Sequence, residues 1–182
     1  MLRLSLPSIE GFDEDRAEFV TIAGGVEVEL EYSLYTIARW ESKWKKPFLT
    51  ELKNLGMKEK LDLIQVMCIT PDVSPNTWLC LTPEHHKQIW SYISDPMSAT
   101  TVHVPNDGAR RREVVTTELI YYWMASLGIP FECEHWHLNR LLKLIQVAMV
   151  KNSPPKKMSK RETMEQYREL NAKRKAMYNT RG

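Results

Sequence analysis

Between Glu132 and His137 the chain sets a thiol (Cys133), two carboxylates (Glu132, Glu134) and two imidazoles (His135, His137) within six positions. These residue types ligate zinc or act as acid–base pairs, so the stretch is the first place to look for chemistry. Its spacing argues against a site. The surrounding pattern predicts a helix over 132–150, on which His135 and His137 stand about 200° apart. Only Cys133 and His137, at i and i+4, share a face, and a zinc site needs three or four protein ligands. The remaining donors Cys68, Cys80, His85, His86 and His103 fall at no ligand spacing. The stretch therefore reads as acidic residues complementing a helix N-terminus, with Trp136, Leu141, Leu144 and Ile145 behind them in the core.

Other catalytic patterns are missing from the sequence. It holds no G-x-S-x-G, P-loop, G-x-G-x-x-G or H-E-x-x-H, and its seven glycines leave little material for a phosphate cradle. The expectation is a protein that is not an enzyme, with no catalytic residues, no cofactor and no metal.

The elements that would position any site follow from periodicity. "LRLSL" and "VEVELE" alternate apolar and polar residues, the signature of half-buried strands. "EFVTI" stands before Ala23-Gly24-Gly25, so a hairpin pairing it with "VEVEL" is expected. From Ser33 the period becomes helical. Ser33 caps a helix through Lys45 that stops before Pro47, with Ile37, Trp40 and Trp44 on one face. A second helix over Met57–Cys68 turns Leu61, Ile64 and Cys68 inward. Pro75 and Pro83 each mark a first helical position, the latter capped by Thr82. Residues 100–115 have the look of a small hairpin. Thr116 or Thr117 opens a helix that Gly128 stops. After the break at Asn152-Ser153-Pro154-Pro155, Ser159 and Glu162 form a capping box for a helix reaching about Met177.

The fold class is thus mainly α: a helical, bundle-like domain with a small N-terminal antiparallel β element and a basic C-terminal tail. Residues 1–32 form the β element, 33–152 the helical body, and 153–182 a tail expected to be mobile or helical. In the body the helices over 33–45, 117–127 and 132–150 are expected to make the core.

Charge separates these parts. Residues 151–182 carry ten basic and three acidic side chains, a net of +7, while the rest carries fifteen basic and twenty acidic, a net of −5. An acidic globule with a basic extension usually presents that extension to a partner. Lys156, Lys157, Lys160, Arg161, Lys173, Arg174 and Lys175, with Tyr167 among them, are the candidate contacts there. Phosphate contact is one use of such residues, but the acidic body would repel a polyanion, so protein contact is the better reading. Among the six tryptophans, Trp40 and Trp44 are the candidates for lining a partner groove; core filling is the competing role. Three cysteines without a CxxC pair, no signal-peptide pattern after Met1 and no run of roughly 18 apolar residues point to a reducing cytoplasm and away from membranes.

"SLYTIARWESKWKKPFL" (33–49), "ELIYYWMASLGIPFECEHWHLNRLL" (118–142), "KNSPPKKMS" (151–159) and the terminal "TRG" resemble a family encoded in the tail modules of tailed bacteriophages, described as tail assembly chaperones. The resemblance implies a non-enzymatic helper that binds the tape measure protein and assists recruitment of the major tail protein around it. It also implies action in the host cytoplasm during infection and absence from the mature virion. Self-association of the chaperone is left open. A structural tail or adaptor subunit retained in the virion, and a nucleic-acid-binding protein acting through the basic tail, are the competing readings.

Overall fold

Alternation in the first thirty residues does build strands, but with partners other than the expected ones. In a computed structural model of the chain, residues 1–101, 114–152 and 160–178 are described. Strand β1 (Leu2–Leu6) pairs antiparallel with β4 (Val26–Leu30), while β2 (Ile9–Asp13) pairs antiparallel with β3 (Glu18–Ala23). One hairpin is inserted in another, and the expected pairing of "EFVTI" with "VEVEL" is wrong. Gly24 and Gly25, with φ of 74° and 69°, turn the chain between the two ladders instead of closing a β3–β4 hairpin. The reason lies in register. Setting Leu4 opposite Val28 and Leu2 opposite Leu30 buries a matched apolar face, which the mostly exposed β3 does not offer. On the wet face Arg3 Nε lies 2.6 Å from Glu29 Oε1.

Helix α1 (Leu34–Trp44) starts where the sequence said it would. Ser33 Oγ accepts from Thr36 N at 3.3 Å, and Thr36 Oγ1 accepts from Ser33 N at 3.1 Å, a reciprocal cap. Its apolar face carries Leu34, Ile37 and Trp40 into the core. The short helix α2 (Phe48–Glu51) buries Phe48, and α3 (Met57–Met67) buries Leu63, Ile64 and Met67. Leu61 and Cys68, expected to point inward, are only half-buried; Ile64 is buried as expected, with Leu63 and Met67 beside it, and α1 meets Glu59 and Asp62 through Trp40 and Trp44. A 3-10 turn (Pro75–Cys80) and α4 (Pro83–Ser94) follow, each opening on its proline. Helix α5 (Thr117–Ser126) ends at Gly128, whose φ of 66° lets the chain reverse.

The largest correction falls on residues 132–150. Phe131–His135 is a separate 3-10 turn, and α6 runs Leu138–Asn152. Backbone pairing explains the break. Ser33 and His137 form an isolated antiparallel bridge, and Leu138 N donates to Tyr32 O at 2.9 Å, which holds residues 136 and 137 extended. The core accordingly draws on β1, β4 and α3 as well as the three helices expected to form it. From α6, Leu138, Leu141 and Ile145 are buried; Leu144 is half-buried and Trp136 is exposed rather than in the core.

The chain divides into two units, 1–151 and 152–182. The first is mainly helical with its antiparallel strands, the expected class. In the second, α7 (Lys160–Tyr178) presents exposed side chains along nearly its whole length. Its apolar residues Met164, Tyr167, Leu170, Met177 and Tyr178 fall along one stripe. Most of the hairpin expected over 100–115, and the capping residue Ser159, lie outside the described residues. Among the described residues no helix is long and apolar enough to cross a membrane.

Candidate interaction surface

The residues around Cys133 do not converge. Cys133 is buried in the core as a free thiol. His135 lies on the surface with Nδ1 3.2 Å from Glu31 Oε1 and Nε2 3.7 Å from Glu134 Oε1. His137 faces another way, its ring edge-on to those of Tyr32 and Tyr92. Its Nε2 donates to Tyr92 O at 3.0 Å, while Nδ1 accepts from Asn139 N at 3.3 Å. That pair of partners fixes the neutral tautomer with the proton on Nε2, and burial moves the imidazole below its ordinary 6.5. His137 thus does the work of an N-cap for α6, accepting from the second residue of the helix. Among the described residues no three His, Cys, Asp or Glu side chains are placed to hold a metal ion.

What the stretch does build is one wall of a surface groove. The wet face of α1 supplies Tyr35, Ala38, Arg39, Ser42 and Lys43, at helical spacing; Tyr121 of α5 and Glu134 of the 3-10 turn line the other side. The groove is open and shallow, about 670 Å³ in volume. Tyr121 Oη donates to Glu134 Oε2 at 2.5 Å. Burial first, then the carboxylate, raises the phenol above its usual range, so it stays a donor. Through the sequence neighbours His135 and Glu134, Glu31 and Tyr121 therefore form a polar chain tying the end of β4 to the 3-10 turn and α5.

Aromatic rings stand beside this chain. The Tyr35 ring lies tilted against that of His135, centres 5.2 Å apart, with the Arg39 guanidinium 6.0 Å from the tyrosine's ring centre. Phe131 is 54% exposed, and Trp136 carries the Arg140 guanidinium 4.4 Å above its ring. Tyrosine, tryptophan and arginine beside a polar rim is the composition enriched in protein interfaces. Ser42 is the groove's only hydroxyl of nucleophilic type, and among the described residues no hydrogen bond joins it to an imidazole.

The residues singled out from sequence fare differently. Trp40 is fully buried, its Nε1 donating to Glu59 O at 3.2 Å, so it is a core residue and the assignment to a partner surface is corrected. Trp44 is half-buried; it stacks on Trp40 and donates to Asp62 Oδ2 at 2.8 Å, a carboxylate that also takes Lys43 Nζ. Arg161, Tyr167, Lys173, Arg174 and Lys175 are exposed on α7. Lys156, Lys157 and the side chain of Lys160 lie outside the described residues. Sequence reasoning missed Tyr35, Arg39 and Tyr121, and read Glu134 only as an acid complementing a helix N-terminus. The available signal was the polar and aromatic run Tyr35, Arg39, Ser42 on the face of α1 opposite Ile37 and Trp40.

No protein-family model, curated protein or solved structure matches this chain.

Proposed function

We propose that this protein is a non-enzymatic tail assembly chaperone of a tailed bacteriophage, which holds the tape measure protein while the tail tube is built around it. The sequence resemblance supplies the name of the partner. The observation that carries the reading is the open groove on α1, lined by Tyr35, Arg39, Ser42 and Tyr121, with exposed Phe131 against Tyr121 and exposed Trp136 two residues along the chain from the lining Glu134.

An amphipathic helix seats in a shallow groove by inserting a few apolar anchors between aromatic rings, while rim charges set its register. The polar chain from Glu31 to Tyr121 holds the groove walls in place, so little ordering accompanies binding. The rim carries the charged side chains Arg39, Lys43 and Glu134, which favours an interface that can be released when the tube closes. In this reading the chaperone acts in the host cytoplasm, with the major tail protein joining after the tape measure is coated.

Co-expression with the tape measure protein of the same tail module tests it. The chaperone should bring that protein into the soluble fraction and co-purify with it. The variants Tyr35→Ala, Arg39→Glu and Trp136→Ala should each weaken the complex about tenfold or more while leaving the melting temperature unchanged. A tape measure that stays insoluble, or stoichiometric presence of this chain in purified virions, overturns the proposal.

A further inference from the structure

The hairpin formed by β2 and β3 carries its apolar residues outward. Phe12 and Phe19 pair across the ladder, rings edge-to-face at 5.3 Å, yet Phe19 is 73% exposed. A register shift between Ile9 and Glu10 brings Ile22 over Gly11 on the opposite face, where it too is exposed. With Ile9 exposed as well, the two-stranded ribbon shows four large apolar side chains to solvent; such a ribbon is marginal alone and gains most from being covered.

Charge narrows what covers it. Residues 9–23 hold five carboxylates against Arg16 alone, with Glu10, Glu14 and Glu18 exposed. Two such arms repel one another, which removes arm-to-arm pairing. The body outside 151–182 is net acidic even though residues 39–46 and 110–112 are basic runs, and the largest net positive charge in the chain, +7, belongs to the C-terminal segment. Its helix α7 offers Met164, Tyr167, Leu170 and Met177 along one stripe, all exposed. Arg161 and Lys173 pair with Glu165 and Glu169 on the same helix. Among the described residues Arg168, Arg174 and Lys175 meet no carboxylate. The lengths agree as well: Met164 to Met177 spans about 20 Å of helix, and a six-residue strand such as β3 spans about 20 Å.

We infer that the β2–β3 arm is a self-assembly element that receives helix α7 of a second copy of this chain, through Phe12 and Phe19 against the Tyr167–Leu170 stripe and acidic against basic side chains. Because each copy carries one arm and one helix, the contact is heterologous. It joins copies head to tail and either closes a ring or runs on. The groove on α1 takes no part, so this inference is independent of the function proposed above.

Sedimentation equilibrium of the full chain at about 50 mM and about 500 mM salt tests it. The chain should associate in a concentration-dependent way at low salt, and less at high salt. An arm-reversed variant (Glu10→Lys, Glu14→Lys, Glu18→Lys) and a helix-reversed variant (Arg168→Glu, Arg174→Glu, Lys175→Glu) should each raise the dissociation constant about tenfold or more. An equimolar mixture of the two should associate again. Phe19→Ser, which alters no charge, should weaken association at unchanged melting temperature and serves as well if a triple variant folds poorly. A wild-type chain that stays monomeric throughout overturns the inference. So does association that ignores both reversals, a mixture that fails to recover, or a reversal that changes only the hydrodynamic radius of a monomer, which would mean a clasp within one chain.

Discussion

Replacing Glu41 with alanine would remove a carboxylate on which three segments converge. The side chain is 8% exposed. Its Oε1 accepts from Phe48 N at 2.7 Å, holding the start of α2. Its Oε2 accepts from Thr117 N at 2.8 Å and from Thr117 Oγ1 at 2.5 Å, holding the first residue of α5. Alanine leaves two buried N–H groups and one hydroxyl without an acceptor. An unsatisfied buried donor costs roughly 1–3 kcal/mol, and hydrogen bonds to a charged group stand at the upper end. With the hydroxyl free to turn, the loss should be about 3–5 kcal/mol, a large share of the roughly 5–15 kcal/mol that stabilises a domain. Urea denaturation followed by circular dichroism should show the midpoint fall with an unchanged slope. Heating should show a melting temperature lower by roughly 6–20 °C. Thr117→Val should cost about 1–2 kcal/mol, and the double variant should cost less than the sum of the singles. A Glu41→Ala loss below about 0.5 kcal/mol, within the range of ordinary surface substitutions, would refute the assignment of Glu41 as the link between α1, α2 and α5.

Two further outcomes follow from particular side chains. His137 is held below its ordinary 6.5 by burial, so in the acidic window the unfolded chain binds the proton that the folded one refuses. Stability should be full above 6.5 and fall as pH drops from there through the lowered folded value. His137→Asn, which keeps a capping acceptor, should flatten that part of the profile in urea titrations compared at pH values across the window; an unchanged slope would contradict it. Gly24 and Gly128 both have positive φ, but a Cβ at Gly24 would stand 1.9 Å from Pro7 O and 2.8 Å from Cys80 Sγ, whereas one at Gly128 meets nothing within 4 Å. Gly128→Ala should therefore cost about 1 kcal/mol and Gly24→Ala clearly more, with equal losses in chemical denaturation counting against the steric account.

Local chemistry was legible in the sequence, and long-range pairing was not. Ser33, Thr82, Pro83 and Gly128 announce helix ends because a cap or a stop depends on one residue and its near neighbours. The nested strands are hidden because β1 and β4 find each other across the whole of β2 and β3, and nothing local to Leu2–Leu6 names Val26–Leu30 as its partner. The break before α6 is hidden for a related reason. A helical pattern continues through Trp136 and His137, and only the bridge to Ser33 overrides it. Glu41 reads in sequence as one more acid on a helix, since its partner Thr117 is 76 residues away. The groove shares that limit: Tyr35 and Arg39 could be placed on the wet face of α1, but Tyr121 and Glu134 join them only through tertiary packing.

Nesting one ribbon inside another has a consequence for how this chain can vary. The outer ladder closes on Leu6 and Val26, with Gly25 N donating to Leu6 O at 3.0 Å. Everything from Ile9 to Thr21 lies beyond that clasp, and among the side chains described there only Gly11 and Val20 are even half-covered. Lineages of this protein could therefore lengthen, shorten or recharge the protruding ribbon without moving Leu4, Val28 or any side chain they touch. Its outline is free to track whatever it meets, while the fold behind it stays constant.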